Sequence, residues 1–348
     1  MKILYGVQGT GNGHIARARA MCRALKNSGV EADFLFSGRE KEKYFSMEEF
    51  GEYQTRRGLT FVTHNGQVSY LKTSLSNNIF HFIKEVSELD LSGYDLVLND
   101  FEPVSAWAAK KQAIPSISIS HQNAFRYSVP LRGASWLDKK IIEHFAPAQH
   151  RIGLHWYHFD QPILPPIVHT PDSQKENEDF VLVYLPFENM NDISDLLFRF
   201  TRHRFICYHP EVIEPDVVEN VEFRPLSFDG FQFHLHRCSG VIANGGFELP
   251  SEALTLGKKL LLKPLAGQFE QMSNVATLED LGLATGMDVL DASILRCWLD
   301  EAQAESVNYP DVAQSIVDWI LKGDWDNQSE LTTHLWEKVD FPSYVTNI

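Results

Sequence analysis

The chain has 348 residues, of which 44% are apolar and 22% are charged, and at about 150 residues per domain this length is enough for two domains. Such a composition is typical of a globular protein and excludes a fibrous, disulfide-stapled or wholly disordered chain. The 31 basic and 46 acidic residues give a net charge of −15, and because a protein of that sign repels phosphate backbones, nucleic-acid binding is not expected.

Cysteine usage and hydropathy bear on the cellular compartment. The absence of any C-x-x-C pair favours reduced thiols over a zinc site or a redox dithiol. The cysteines are Cys22, Cys207, Cys238 and Cys297. The apolar residues 1–7 are too few for a signal peptide, and no run approaches the roughly 18 apolar residues of a spanning helix. We therefore predict a cytoplasmic protein.

The first half of the chain predicts a parallel α/β sheet. Its predicted elements are strands at 3–7, 30–36, 94–99 and 116–120, helices at 15–26 and 103–112, and a glycine turn at 9–13. Strand, helix and strand within about 35 residues is typical of a parallel unit with a right-handed crossover. The sequence thus predicts an α/β domain at the N-terminus.

A change of composition divides the chain. Prolines followed by a polar run over residues 161–179 predict an extended linker. The elements predicted beyond it are strands at 180–185, 204–208, 241–243 and 259–263 and helices at 247–256 and 269–281. From residue 291 onward the pattern is helical and rich in aromatic residues. We place the domains at 1–165 and 166–348, with a helical tail that packs back.

The first glycine turn precedes the first predicted helix. Gly11 and Gly13 allow a ligand to approach the backbone at the edge of an open sheet, where α/β folds bind ligands. The same segment also fits the G-x-G-x-x-A dinucleotide fingerprint, for which Glu31 or Asp33 would hold a ribose. The fingerprint by itself has little specificity. An NAD-linked dehydrogenase is therefore kept as one hypothesis, behind those drawn from the second half of the chain.

A second glycine turn, Asn244-Gly245-Gly246, lies between a strand and a helix in the second half. Amides at a helix start, together with the helix dipole, favour a diphosphate. Glu248 in the first turn repels a phosphate, so we expect it to point aside. Glu252 lies one turn further on the same face and is within reach of a ribose.

The segment after the strand at 259–263 carries further polar groups. Glu270 and Gln271 open the next predicted helix at the same sheet edge. A carboxylate and an amide suit sugar hydroxyls. The alternative is that Glu270 complements the helix dipole and Gln271 faces water.

These motifs together resemble the GT-B glycosyltransferases, in particular the branch of the peptidoglycan lipid-intermediate N-acetylglucosaminyltransferase and the glucuronosyl and macrolide glycosyltransferases. The most specific stretches are residues 243–248, 251–254, 257–258, 263–264 and 268–274. The resemblance implies two Rossmann-like, doubly wound domains that face each other across a cleft, with acceptor binding in the N-terminal domain and nucleotide-sugar binding in the C-terminal one.

The resemblance also assigns roles to residues. It implies that Gly245 and Gly246 hold the diphosphate, that Glu252 holds the ribose, and that Glu270 with Gln271 holds the donor sugar. The N-terminal Gly11, Gly13 and His14 match the family's glycine–histidine motif. Phe247 and Asn244 are also predicted to bind the donor, and Asn244 stands where many relatives carry a histidine that contacts the diphosphate.

Inverting transfer needs a base for the attacking hydroxyl. We predict that His14 is this base, because its ordinary pKa lies near working pH. Asp100, which follows the strand at 94–99, is the predicted orienting carboxylate, with Glu102 as the alternative. A structural role of His14 as a helix cap is the competing interpretation.

Leaving-group stabilisation by amides requires no metal, and no cofactor is predicted. Zinc is a weak interpretation of His155-x-x-His158 and of His234-x-His236-x-Cys238, because neither completes a four-ligand spacing. The motif Asp324-Trp325-Asp326 lies in the C-terminal tail, where a solvated turn is predicted rather than a metal site.

We therefore predict a metal-independent, inverting glycosyltransferase that uses UDP-N-acetylglucosamine or another UDP-sugar and a hydroxyl acceptor. The alternatives are a UDP-N-acetylglucosamine 2-epimerase-like enzyme and a catalytically silent sugar-nucleotide-binding module. Peripheral membrane contact is one interpretation of Lys139 and Lys140, which follow Trp136. A helix that covers the acceptor cleft is the preferred one.

Overall fold

The fold is taken from a computed structural model that describes residues 1–59, 63–64, 67–68, 78–168 and 178–345. The strands of the N-terminal half are β1 (Lys2–Gln8), β2 (Glu31–Ser37), β3 (Tyr53–Arg56), β4 (Thr63–His64), β5 (Gln67–Val68), β6 (Leu96–Asp100), β7 (Ser116–Ser120), β8 (His150–Leu154) and β9 (Ile163–Leu164). Its α-helices are α1 (Asn12–Asn27), α2 (Ile79–Glu88), α3 (Pro103–Gln112) and α4 (Trp136–His144).

The N-terminal sheet has seven strands in the order β3-β2-β1-β6-β7-β8-β9, and all its pairs are parallel. Alternate side chains of β1 point to opposite faces: Tyr5 packs with α1, and Leu4 packs with the cluster that includes α3. Helices therefore cover both faces, as the continuous apolar strands require. The strand order reverses between β1 and β6, where a crevice forms at the carboxyl ends of the strands.

The C-terminal half repeats this architecture. Its strands are β10 (Val181–Tyr184), β11 (Phe205–Tyr208), β12 (Asp216–Val218), β13 (Val221–Arg224), β14 (Gly240–Asn244), β15 (Lys259–Lys263) and β16 (Thr285–Gly286). They form one sheet in the order β12-β13-β11-β10-β14-β15-β16, in which the β12–β13 pair alone is antiparallel. The order reverses between β10 and β14. The predicted α/β class with two doubly wound sheets is confirmed.

The helices of this half are α5 (Met190–Leu197), α6 (Phe228–Arg237), α7 (Glu248–Thr255), α8 (Phe269–Asp280), α9 (Ala292–Asp300), α10 (Val312–Lys322) and α11 (Ser329–Trp336). The last two pack on the N-terminal domain. Gln314 of α10 donates to Ser28 Oγ after α1 (2.9 Å), and Trp336 Nε1 of α11 donates to the carbonyl of Ile163 in β9 (2.7 Å). The end of the chain therefore packs on α1 and on the edge strand β9 of the first domain.

The domains also meet directly below the crevice. The ring of His121 stacks on Phe247 with centroids 3.9 Å apart and planes 9° apart, and its Nε2 lies 2.6 Å from Asn274 Oδ1. Trp156 Nε1 donates to Ser251 Oγ (2.8 Å). These buried contacts fix one end of the seam between the two sheets.

Two predicted boundaries were wrong. Helix α1 starts at Asn12, so Gly13 and His14 lie in its first turn and not in the preceding loop. The predicted linker at 161–179 begins too early, because Ile163 and Leu164 form a buried strand that pairs with β8 in the N-terminal sheet. Residues 169–177 of that linker lie outside the described part of the chain. All four cysteines are free, as predicted, and among the described helices none is both long and apolar enough to cross a bilayer.

Candidate functional site

A cavity of about 950 Å³ lies between the carboxyl ends of the two sheets. Both glycine turns contribute to its walls, together with the first residues of α1, α7 and α8. Ile141 and Ile142 of α4 close it from the N-terminal side, which supports the interpretation of α4 as a helix that covers the cleft. The cavity occupies the place where doubly wound folds bind ligands.

The predicted pair of His14 and Asp100 meets at the β1/β6 crevice. His14 Nδ1 lies 2.8 Å from Asp100 Oδ1. Asp100 is completely buried at the end of β6, whereas His14 lines the cavity. Within the described part of the chain, His14 Nε2 has no hydrogen-bond partner. A proton on Nδ1 therefore leaves Nε2 with a lone pair that can take a proton.

Arg17 completes this cluster, and the sequence analysis missed it. The Arg17 guanidinium donates to Asp100 through Nε to Oδ2 (2.8 Å) and through Nη2 to Oδ1 (2.9 Å). Burial alone would raise the pKa of Asp100, but Arg17 and His14 outweigh it and hold that pKa below its ordinary value. The orienting carboxylate thus stays ionised. Arg17 lies three residues after His14 on the same helix face, and this spacing could have predicted that Arg17 joins the pair.

Glu248 reaches the same guanidinium from the other domain, so our expectation that it points aside was wrong. Its Oε1 accepts from Arg17 Nη1. The side chain is buried, and burial raises the pKa of Glu248 to about 8 even though Arg17 lowers it in part. One cation thus faces two carboxyl groups: Asp100, held by two bonds, has a lowered pKa, whereas the pKa of Glu248 is raised.

Three helices that open on the cavity have no side-chain cap. Among the described α-helices, α1, α7 and α8 start without a side-chain cap, as does α11, which is not among the helices that open on the cavity. The other helices are capped by Asn78, Glu102, Ser135, Asn189, Ser227, Asp291 and Asp311. Uncapped helix starts leave amide donors and the positive end of the dipole for an anion.

In the two glycine turns, neither packing nor backbone conformation requires glycine at two of the positions. A Cβ added at Gly11 or at Gly246 would meet no atom within 4 Å, and neither has a positive φ. By contrast, a Cβ at Gly245 would lie 2.8 Å from the carbonyl of Gln271. Gly245 is thus required by packing, whereas Gly11 and Gly246 leave open space on the cavity side of their turns.

The geometry changes the expected source of amide donors at the second turn. The N–H of Gly246 donates to the carbonyl of Asn244 (2.8 Å). The Asn244 side chain donates to the carbonyl of Lys263 (3.0 Å) and to Glu188 (3.3 Å), so both of its hydrogens point away from the turn. The amides that open α7 are therefore the candidates for an anion, rather than Asn244.

The remaining predicted donor residues line the cavity. Glu252 accepts from Gln232 Nε2 (2.9 Å), and burial raises its pKa to about 7. Both oxygens of Glu270 lie 3.2 Å from Nε2 of Gln122, a residue of the N-terminal domain. Gln271 accepts from the amide of Leu265 through Oε1 (2.9 Å), which leaves its amide hydrogens for a ligand.

Two alternative assignments were wrong. Glu102 is buried and caps α3, where it accepts from the amides of Val104 (2.8 Å) and Ser105 (2.6 Å), so it does not orient His14. Glu31 and Asp33 lie at the amino end of β2 and pair with Lys2 at 2.9 and 3.4 Å. They are at the opposite edge of the sheet from the glycine turn, which removes the dinucleotide interpretation.

The histidine motifs considered for zinc have other contacts. His158 pairs with Asp160 (3.5 Å), and His234 Nδ1 lies 2.8 Å from the hydroxyl of Tyr208. His155 is buried among aromatic rings, and burial lowers its pKa well below the ordinary value. Within the described ranges, no three His, Cys, Asp or Glu side chains are grouped to hold a metal ion.

Solved structures with the same fold are glycosyltransferases. The glycotransferase of kitacinnamycin has a TM-score of 0.59 at 16% identity, covering 97% of this chain and 99% of that one. MurG of Acinetobacter baumannii has a TM-score of 0.54 at 16% identity, with coverage of 92% and 99%. Arabidopsis thaliana UGT89C1, solved with quercetin, has a TM-score of 0.57 at 14% identity, with coverage of 96% and 99%.

A comparison of sequences identifies the family. Curated protein sequences give no match, but the family model described as "Glycosyl transferase family 1" matches residues 1–301. This match covers both glycine turns, Asp100 and the donor motif. The chain therefore belongs to glycosyl transferase family 1 and is a glycosyltransferase with the GT-B fold.

Proposed function

We propose that the protein transfers a sugar from a UDP-sugar, such as UDP-N-acetylglucosamine, to a hydroxyl acceptor, with inversion at the anomeric carbon and without a metal ion. The observation that carries the proposal is the placement of His14, held by the buried Asp100, in the same cavity as the uncapped start of α7. A base and an anion site in one cavity are the two requirements of this reaction.

In this mechanism His14 is the base. Its Nε2 takes the proton of the acceptor hydroxyl while that oxygen forms a bond to the anomeric carbon. The bond from the anomeric carbon to the diphosphate breaks at the same time, on the opposite face of the sugar, and the diphosphate leaves with the electron pair. Asp100 holds Nδ1 and stabilises the imidazolium that forms, as carboxylates do in related base–carboxylate pairs.

The C-terminal domain, residues 166–348, is the proposed donor domain. The amides that open α7 stabilise the leaving diphosphate, and the space beside Gly246 lets it approach the backbone. Glu252 accepts from ribose hydroxyls, and Glu270 with Gln271 binds the sugar. Tyr184, Phe187 and Phe231 give the cavity an aromatic wall that suits a flat base.

The N-terminal domain, residues 1–165, is the proposed acceptor domain, with Ile141 and Ile142 of α4 on its side of the cavity. Structures of similar fold were solved with a nucleoside diphosphate and with a hydroxyl-bearing compound. SsfS6 of Streptomyces sp. SF2575 was solved with thymidine diphosphate, and it has a TM-score of 0.58 at 13% identity with coverage of 87% and 92%. UGT89C1 was solved with quercetin, a compound that carries hydroxyl groups.

The proposal is tested with water as the acceptor, because the natural acceptor is not needed. A panel of UDP- and TDP-sugars is incubated with the protein, and release of UDP or TDP is followed with and without EDTA. We expect release from a UDP-sugar that EDTA does not change, and a first-formed free sugar of inverted anomeric configuration by NMR. Retained configuration, release that EDTA abolishes, or a C2-epimer as the product would contradict it.

A further inference from the structure

The start of α7 has an unusual charge balance for a diphosphate site. The nearby cations are Arg17 and Lys263, and each already has an acidic partner: Arg17 is bonded to Asp100, and Lys263 Nζ lies 2.7 Å from Glu188 Oε1. Glu248 adds an acid in the first turn of the helix. If Glu248 were ionised, it would repel the diphosphate that the amides attract.

The position of Glu248 shows how this conflict is resolved. Its side chain lies between the two glycine turns, because its Cγ would be 3.1 Å from a Cβ built on Gly13. One carboxyl oxygen, Oε1, accepts from Arg17 Nη1. Within the described part of the chain Oε2 has no hydrogen-bond partner, and the residue lines the cavity. A proton on Oε2 would turn this oxygen into a donor.

We propose that Glu248 binds the donor diphosphate in its neutral form, with Oε1 accepting from Arg17 and Oε2–H donating to a phosphate oxygen, so that nucleotide binding takes up a proton from solvent. This inference rests on the proposed donor site. In the protonated form, Glu248 donates a hydrogen bond to the diphosphate instead of repelling it. The site then needs no free cation at the turn.

The surroundings of Glu248 favour the neutral form. The titratable and charged groups that face it are Arg17 and His14 on α1, Asp100 on β6, Tyr5 on β1 and Glu252 on its own helix. Arg17 is the one permanent cation in this set, and its Nε and Nη2 are bonded to Asp100. Asp100 and Glu252 repel a charge on Glu248. A bound diphosphate adds further negative charge and shifts Glu248 further towards protonation.

The test is calorimetry with UDP as the probe. Binding enthalpies are measured at pH 8 in HEPES and in Tris, whose different ionisation enthalpies report the number of protons taken up. Because the pKa of Glu248 is raised to about 8, the wild-type protein should take up about half a proton more than E248Q. From pH 7 to pH 9 the Kd for UDP should rise by about tenfold more in wild type than in E248Q. The control E330Q, an exposed residue on α11, should match wild type.

The other outcomes of this experiment contradict either the inference about Glu248 or the donor site itself. Equal proton uptake and equal pH dependence in wild type and E248Q would overturn the inference and leave the donor site intact. A folded E248Q that no longer binds UDP would also overturn it, because glutamine supplies an uncharged acceptor and donor. If E248Q does not fold, wild-type uptake must rise between pH 7 and pH 9, and a flat profile overturns the inference. Failure of wild type to bind UDP and TDP would overturn the donor site itself.

Discussion

The two glycine turns occupy equivalent positions in their domains, each between a strand at the sheet's switch point and a helix without a side-chain cap, yet they carry opposite charge patterns. At the first turn, Arg17 compensates Asp100 within hydrogen-bond distance, and His14 is held beside them. At the second, Glu248 and Glu252 have raised pKa values. Glu248 shares Arg17 with Asp100, and Glu252 is bonded to the uncharged amide of Gln232. At the first turn, opposite charges in contact hold the proposed base in position. At the second turn, acidic groups with raised pKa values can bind a proton when an anionic ligand arrives.

The largest expected effect concerns the first turn. His14→Ala removes the proposed base while leaving α7 and its amides intact. Release of UDP from the UDP-sugar should fall by about 10²- to 10⁴-fold, with the Kd for UDP within about threefold of wild type. His144→Ala, an exposed histidine at the end of α4, is the control and should keep wild-type rates. A rate for His14→Ala within a few fold of wild type would assign His14 to a structural role.

The second prediction removes the compensating charge at the same turn. Arg17→Met leaves Asp100 buried with the His14 ring as its remaining partner and without a permanent cation, and it should lower the free energy of unfolding by about 3–5 kcal/mol, measured by urea denaturation. Arg17→Lys keeps a positive charge but loses the two-bond contact, so its free energy of unfolding should lie between those of wild type and Arg17→Met.

The matched control for this experiment lies on the same helix. Arg23→Met removes a half-exposed ion pair with Glu49 and should cost about 1 kcal/mol or less. If Arg17→Met and Arg23→Met were equally stable, the buried cluster would not hold the two domains together as the distances indicate.

The third prediction concerns the second turn and has the smallest effect on the fold. Gly246→Val fills space that no protein atom occupies, so the free energy of unfolding should stay within about 0.5 kcal/mol of wild type. The Kd for UDP should nonetheless rise by at least about tenfold, because the added side chain stands where the diphosphate approaches. Gly93→Ala, at another open position, is the control for calorimetry and stability. Unchanged UDP binding in Gly246→Val would remove the diphosphate from this turn.

The features that local pattern determines were predicted well. Strand-to-helix glycine turns and a histidine next to the start of a helix are visible in a short window, and parallel strands bring their carboxyl ends together, so the approach of His14 to Asp100 could be predicted. The contact of Arg17 with Glu248 could not, because these residues are separated by 231 positions and lie in different domains. Their side chains meet only after both sheets are built.

The same limit explains the errors on Asn244 and Glu248. Sequence places both residues next to the diphosphate turn but does not say which neighbours take their hydrogen bonds. Lys263 and Glu188 take the hydrogens of Asn244, and Arg17 draws Glu248 across the seam. The direction of a polar side chain depends on partners from other elements, whereas the position of its backbone follows from the element that carries it.

The return of α10 and α11 to the first domain has a mechanical consequence. The chain passes between the domains twice, once before residue 178 and again between α9 and α10. Because the second crossing returns the tail to α1, where Gln314 of α10 donates to Ser28 Oγ, the tail is tied to the N-terminal domain. A separation of the two sheets would therefore have to stretch both crossings at once.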